Sequence, residues 1–215
     1  MKYSCSVCGA AGPQPLLNIK GVDYWRCNTC MATIMDPGQW LSAEMEYEQY
    51  LIHENSPADG GYRKFLSRLA TPLLKNLVPG QNGLDYGCGP VPVLAQMLTE
   101  KGQNMSSFDP FFFPDQELLS GQYDFITCTE TIEHFHNPGK EFNLFERMLK
   151  PGGWLALMTC FQTDDTRFSS WHYRRDPTHV VFYRETTLRH IARILGWSCK
   201  IPGKDIALMQ KPKNI

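Results

Sequence analysis

A chain of 215 residues is long enough for one full α/β domain and a small appendage. Its apolar share of 42% is ordinary for a soluble protein, and no apolar run nears the ~18 residues of a membrane span, so no membrane partner is expected. The net charge of −1 is far from the basic excess of a nucleic-acid-binding domain, and the start Met1-Lys2-Tyr3-Ser4-Cys5 lacks the apolar core of a secretory leader, which points to the cytoplasm.

Eight cysteines then need a use, because a reducing compartment disfavours disulfides. Four of them form Cys5-Ser6-Val7-Cys8 and Cys27-Asn28-Thr29-Cys30, two Cys-x-x-Cys pairs with eighteen residues between them, the spacing of a four-cysteine zinc site. The stretch between reads as short strands and turns around Leu16, Leu17 and Ile19, then Val22, Tyr24 and Trp25. So few apolar side chains cannot hold about 35 residues together without a metal staple. Residues 1–40 are therefore expected to be a zinc ribbon closed by Asp36-Pro37-Gly38. Its zinc is structural, since Cys5, Cys8, Cys27 and Cys30 fill all four positions. A pair of redox dithiols is the alternative, but no thioredoxin-like unit surrounds either pair. Cys88, Cys128, Cys160 and Cys199 lie in or beside apolar runs, as small core residues do.

Residues 41–61 read as a helical cap and linker: Leu41 to Leu51 is helix-capable and acidic, and His53 to Gly61 is a loop. Phe65, Leu66, Leu69, Leu73, Leu74 and Leu77 give Tyr62 to Leu77 the period of an amphipathic helix, ended by Pro79-Gly80. A short apolar strand, Gly83 to Tyr86, then enters Gly87-Cys88-Gly89-Pro90. A helix is expected from Val91 to Lys101 and a second strand from Met105 to Phe108, ending at Asp109. Strand, glycine turn, helix and a second carboxylate in that order build a nucleotide cradle, in which Asp109 can accept hydrogen bonds from ribose hydroxyls. The position where a nicotinamide site wants its third glycine is Pro92.

Only fourteen residues, among them Phe111-Phe112-Phe113-Pro114, separate Asp109 from Asp124, too few for a helix and a further strand. The next buried strand is Tyr123 to Thr127. A helix follows from Asn137 to Leu149, then a strand from Trp154 to Cys160 and a last helix from Thr186 to Leu195. Trp197 to Ile201 and Ile206 to Gln210 flank Pro202-Gly203-Lys204-Asp205, a turn suited to an antiparallel hairpin and too short for a parallel crossover.

The ordered set Asp85-x-Gly87-x-Gly89, Asp109, Leu149-x-Pro151-Gly152-Gly153 and the terminal hairpin resembles class I S-adenosylmethionine (SAM) dependent methyltransferases over about residues 62 to 211. The resemblance implies an α/β fold: a Rossmann-like class I methyltransferase sheet with a reversed C-terminal strand and a shortened third-strand region, preceded by the small zinc ribbon. The catalytic domain would be residues 62–215. SAM would lie against Asp85, Gly87, Gly89, Asp109, Thr129 and Glu130, with Tyr62 and Arg63 near its methionine carboxylate. One departure is Val91, where many relatives carry a glycine. The ribbon prefix is similar to that of bacterial sugar C-methyltransferases, which are longer, so their substrate does not transfer.

Two clusters face the expected methyl group. Glu130-x-x-Glu133-His134 also occurs in two metal-assisted families, the ubiquinone-pathway O-methyltransferases and the small-RNA 2′-O-methyltransferases, where the matching residues hold a divalent ion. Many metal-free methyltransferases keep the Glu-His pair for structure, so a second divalent ion and a structural role stay open. Trp171 to His179 offers His179 and His172 as bases beside Asp176, Arg174 and Arg175, while His179 could equally anchor a short strand. Catalysis is thus expected of His179, His172 and His134. From Arg167 onward there are ten Lys and Arg against three acids, and before it eleven against nineteen. That asymmetry suits solvated faces or an anionic substrate. A SAM-dependent methyltransferase of a small oxygen or nitrogen acceptor is the expectation. An RNA or protein methyltransferase and a non-catalytic ribbon scaffold are the alternatives.

Overall fold

The computed structural model describes residues 4–52 and 56–213; residues 53–55 of the expected loop and the first three residues lie outside them. Two sheets organise the chain. The small one begins with a hairpin, β1 (Gln14–Ile19) and β2 (Val22–Arg26), followed by β3 (Thr33–Met35). After α1 (Ala43–Tyr50), capped by Ser42, the large unit opens with α2 (Gly60–Leu74), whose first amides are capped by Asp59. Leu66, Leu69, Ala70 and Leu73 bury one stripe of α2. The helix stops before Leu77 because the Asn76 amide takes the Pro72 carbonyl and the backbone tightens into an Asn76-to-Leu73 turn.

The large sheet contains β4 (Asn82–Tyr86), β5 (Asn104–Phe108), β6 (Tyr123–Thr129), β7 (Leu149–Met158), β9 (Ser198–Gly203) and β10 (Ile206–Gln210), in the order β5-β4-β6-β7-β10-β9. The first four are parallel, and β10 runs antiparallel to both β7 and β9, the reversed strand expected from the terminal hairpin. β9 reaches Gly203, so the turn shortens to Lys204 and Asp205, with Asp205 at φ +68°. β7 starts at Leu149 rather than Trp154, since Leu149 already pairs with Tyr123 and the Pro-Gly-Gly residues are taken up as a register shift. Among the described residues no strand lies beyond β5. The segment after Asp109 makes only an isolated bridge to Phe113 and a short helical turn at Gln116–Ser120.

α2 and α3 (Val93–Thr99) cover one face of the sheet around Leu69, Leu73, Leu94, Leu98, Phe125 and Leu208. The other face carries α4 (Pro138–Met148), α5 (Glu185–Ile194) and the four-cysteine unit in one continuous core. That continuity has a backbone element: β8 (Val181–Phe182), within the short strand that His179 could anchor, pairs with β3, a partner not legible in the sequence, so the small sheet runs β1-β2-β3-β8. No helix among the described residues is long and apolar enough to cross a membrane.

Candidate active site

The chain leaves β4 to build β5 on one side and then returns to build β6 on the other, so the crevice at the carboxyl ends of β4 and β6 is a topological switch point. Gly87 and Gly89 lie there with φ +73° and +67°. A Cβ at Gly87 would stand 2.1 Å from Thr131 Cγ2, whereas at Gly89 it would meet nothing within 4 Å: one glycine allows packing, the other leaves room for a ligand. Asp109 ties the turn together. Its Oδ2 accepts from the Gly89 amide at 3.0 Å, and its Oδ1 from the amides of Phe111 and Phe112 at 2.9 and 3.2 Å. Oδ2, with one donor, keeps lone-pair capacity for a hydroxyl.

Asp85, buried at the end of β4, accepts from the Thr127 hydroxyl at 2.7 Å, and burial pushes its carboxyl up to about 6. Tyr62 reaches the same place from α2: burial and the charges of Asp85 and Glu130 raise its phenol to about 12. Arg63 is engaged elsewhere, its guanidinium pairing with Glu100. Thr131, a residue the sequence did not single out, has its one hydroxyl proton shared between the carbonyls of Thr129 at 2.9 Å and Gly87 at 3.1 Å, which ties the two loops. Beside it, Glu130 holds φ +49°, a conformation rare for a residue with a side chain, and its amide donates to Met158 O. Thr129 Oγ1 is buried with no hydrogen-bond partner among the described residues.

Next to the crevice, Glu133, His134 and His179 place one ligand atom each within 4.8 Å of one another. Glu130, which the resemblance puts in that set, stands just outside it, and His179 takes its place. Both imidazoles are oriented by backbone carbonyls: His134 Nδ1 donates to Thr178 O at 3.1 Å and His179 Nδ1 to Tyr173 O at 2.7 Å. A carbonyl can only accept, so Nε2 carries the lone pair in each neutral ring. His179 Nε2 lies 4.0 Å from Glu133 Oε1 and 3.8 Å from Asp176 Oδ2. Asp176 in turn accepts from the amide and hydroxyl of Thr178.

Tyr173 joins these parts. Its hydroxyl donates to Glu133 Oε1 and meets Thr159 Oγ1 at 3.1 Å, and its ring packs on His179. Burial, reinforced by the Glu130 charge, pushes Glu133 up to about 8, and burial pushes Glu130 up to about 7. Tyr173 lay inside the polar cluster read from the sequence, but nothing there distinguished it from its neighbours. His172 is exposed, its ring 6.5 Å from that of Tyr173, and it is not among the three groups that converge. Tyr50 of α1 closes the crevice, its ring 5.3 Å from His134 and 5.4 Å from Phe111.

The four cysteines converge as two knuckles. Gly9 and Met31 donate to the carbonyls of Cys5 and Cys27, and the sulfurs of Cys5 and Cys30 are 3.7 Å apart, those of Cys8 and Cys27 3.6 Å. A tetrahedral zinc with Zn–S of ~2.3 Å needs edges of about 3.8 Å, so the donor set fits. The basic residues are mostly engaged within the chain. Arg26 and Arg184 converge on Asp165, each at 2.6 Å, and Arg174 bonds Tyr24 and Ser169 O.

A family model described as a methyltransferase domain matches residues 57–199. The ubiquinone biosynthesis O-methyltransferase of Erwinia tasmaniensis is 31% identical over 77 residues, covering 36% of this chain and 32% of that protein. Its namesake from Pseudomonas aeruginosa is 28% identical over 145 residues, 56% of this chain and 57% of that protein. The chain thus spans about a third to just over half the length of these curated relatives. In fold it is similar to the 1,6-didemethyltoxoflavin-N1-methyltransferase of Burkholderia thailandensis, solved with 1,6-didemethyltoxoflavin and S-adenosylhomocysteine (SAH) bound. The TM-score is 0.51 at 14% identity, over 94% of this chain and 100% of that one. The family match runs through the glycine turn, Asp109 and the Glu133-His134 segment alike, so the chain belongs to the methyltransferase domain family, built on the Rossmann-like class I sheet.

Proposed function

We propose that the protein uses SAM to methylate a hydroxyl of a small-molecule acceptor, with Glu133, His134 and His179 forming an acceptor-side centre that holds a divalent cation. The observation that carries this reading is the convergence of those three side chains, from the loops after β6 and β7, at the same end of the sheet as the glycine turn and Asp109. SAM would be held by Asp85, Gly87, Gly89, Asp109, Thr129, Glu130 and Tyr62, and it supplies a methyl group on a sulfonium. Transfer is an in-line displacement, so the chain's main task is alignment and exclusion of water. Asp109 and Asp85 grip the two ends of the donor, and Tyr50 covers the crevice.

The acceptor hydroxyl must also lose a proton. Glu133 Oε2 is fully buried and has no hydrogen-bond partner among the described residues, and two imidazoles with carbonyl-fixed tautomers stand beside it. A carboxylate and two neutral imidazoles so oriented suit a cation, with the carbonyls as outer partners. A bound divalent ion would supply the positive charge that favours the oxyanion form of the acceptor. Cys5, Cys8, Cys27 and Cys30 hold structural zinc on this reading. Small-molecule acceptors are favoured over RNA because Arg26, Arg174 and Arg184 are turned onto partners within the chain.

Calorimetry with SAM and SAH, followed by a screen of hydroxylated small molecules with labelled SAM, tests the proposal. Asp109→Ala should weaken SAH binding about tenfold or more, as loss of charged hydrogen bonds does. Glu133→Ala should abolish turnover with SAH affinity nearly intact, and EDTA should mimic it. EDTA-resistant turnover that His179→Ala lowers by roughly 10²–10⁴-fold would make His179 a metal-free base instead. Absence of SAM and SAH binding refutes the reading altogether.

A further inference from the structure

The four-cysteine unit docks on the catalytic sheet at two separate places, one for each knuckle. The first knuckle meets the start of α4, where the Gly139 amide donates to Ser6 O at 2.9 Å. The contact is close: a Cβ at Gly139 would lie 3.2 Å from Ser6 O and 3.4 Å from Val7 O. Gly139 lies five residues after His134, at the start of the helix that the Glu133-His134 segment leads into. The second knuckle, from Cys27 to Met31, leads through Ala32 into β3. There Thr33 and Ile34 pair with Phe182 and Val181 of β8, and the Met35 amide donates to Val180 O at 2.8 Å. Val180 follows His179, and its own amide donates to Glu133 O at 2.9 Å. The two docking points are thus the two segments that supply the acceptor-side cluster. Cys5, Cys27 and Cys30 are buried in the same core as Ile132 and Val180.

We propose that the four-cysteine unit is a working part of the acceptor site: the metal bound by Cys5, Cys8, Cys27 and Cys30 sets the position of His179 relative to Glu133 and His134. Without that metal the chain between the knuckles is the β1–β2 hairpin, whose first strand buries no residue to hold it. Loosening one knuckle then frees β3, and with it the backbone ladder that aims His179. Gly87, Gly89 and Asp109 follow β4 and β5, on the far side of β6 from β7, and make none of these contacts, so cofactor binding should be spared. The inference rests on the reading of Glu133, His134 and His179 as the acceptor-side centre, but not on whether that centre holds an ion.

The test uses the full chain with ¹⁵N-labelled histidine rings, in wild type, in Cys8→Ser, and in Gly139→Val. The last keeps all four cysteines but pushes the first knuckle off α4. SAH affinity is read by calorimetry, and the His134 and His179 ring resonances by NMR. Manganese binding is read by electron paramagnetic resonance. In both variants SAH affinity should stay within about threefold of wild type, while the two ring signals shift or broaden. Manganese affinity should fall by about tenfold or more, as when outer partners of a metal site are disturbed. Gly139→Val should do this with its zinc still bound. Ring signals in zinc-free Cys8→Ser that superimpose on wild type would overturn the inference. So would a collapse of SAH binding in that variant, because the unit would then support the whole fold rather than the acceptor side. If wild type takes up no manganese, the divalent-ion reading fails on its own and the ring signals still decide this one.

Discussion

Asp85 links the charge state of the cofactor crevice to the stability of the fold. It is 3% exposed, and burial lifts its carboxyl from 3.8 to about 6, against the pull of hydrogen bonds from Thr127 and the Ala95 amide. Between about pH 4 and pH 6 the native chain therefore holds a proton that the unfolded chain has released. Stability falls as the pH rises through that window and stays at the lower level above it. At roughly 1.4 kcal/mol per unit, the ionised carboxylate costs the fold on the order of 3 kcal/mol at pH 7.5 and about 1 kcal/mol at pH 4.5. Asp85→Asn removes the titration. Its carbonyl can still accept from Thr127, while its amide facing the Ala95 N–H adds a cost that does not change with pH. The stability of Asp85→Asn relative to wild type should thus improve by about 2 kcal/mol from pH 4.5 to pH 7.5, or about 4–8 °C in melting temperature for a chain of this size. Denaturant unfolding of both proteins at the two pH values, without ligand, measures it. A difference that stays constant within about 0.5 kcal/mol would refute the assignment of a buried, proton-holding Asp85.

Three further outcomes are expected. Gly87→Ala places a Cβ 2.1 Å from Thr131 Cγ2 at φ +73°, so it should cost at least about 2 kcal/mol and weaken SAH binding; adding Thr131→Ser should recover part of the loss in a thermal melt. Tyr183→Phe leaves the Ile132 carbonyl without its buried 2.8 Å donor and should lower stability by about 1–3 kcal/mol in urea with an unchanged m-value; a loss below about 0.5 kcal/mol would contradict that role. Protein purified without chelator should carry about one equivalent of zinc, and Cys8→Ser should carry none; metal analysis that finds no zinc in wild type would count against the structural site.

Local chemistry made much of the molecule legible in its sequence. Asp85-Tyr86-Gly87-Cys88-Gly89 announces a strand running into a tight turn because only glycine adopts the left-handed conformations found there at low cost. The two Cys-x-x-Cys pairs announce their convergence because thiolates at that spacing serve one ion. The fourteen residues between Asp109 and Asp124 are too few for both a helix and a further strand, and β5 is the last strand on its side among the described residues. These are statements about backbone reach and near neighbours, which the order of residues determines directly.

The acceptor side was decided elsewhere. The sequence places Glu130, Glu133 and His134 together by their spacing, but a spacing carries that meaning only on a helix. Here Ile132–His134 forms a short 3₁₀ turn and Glu130 has left-handed backbone, and the three groups that come within 4.8 Å of one another are Glu133, His134 and His179. His179 arrives from 45 residues further along because β8 is held between β3 and the Glu133 backbone. Tyr173 and Thr131 gained their roles in the same way, by contacts between segments far apart in the chain. A short strand after His179 can be read from its apolar run, but its pairing partner lies near the other end of the chain. That pairing is a property of the packed core, not of the strand's own residues.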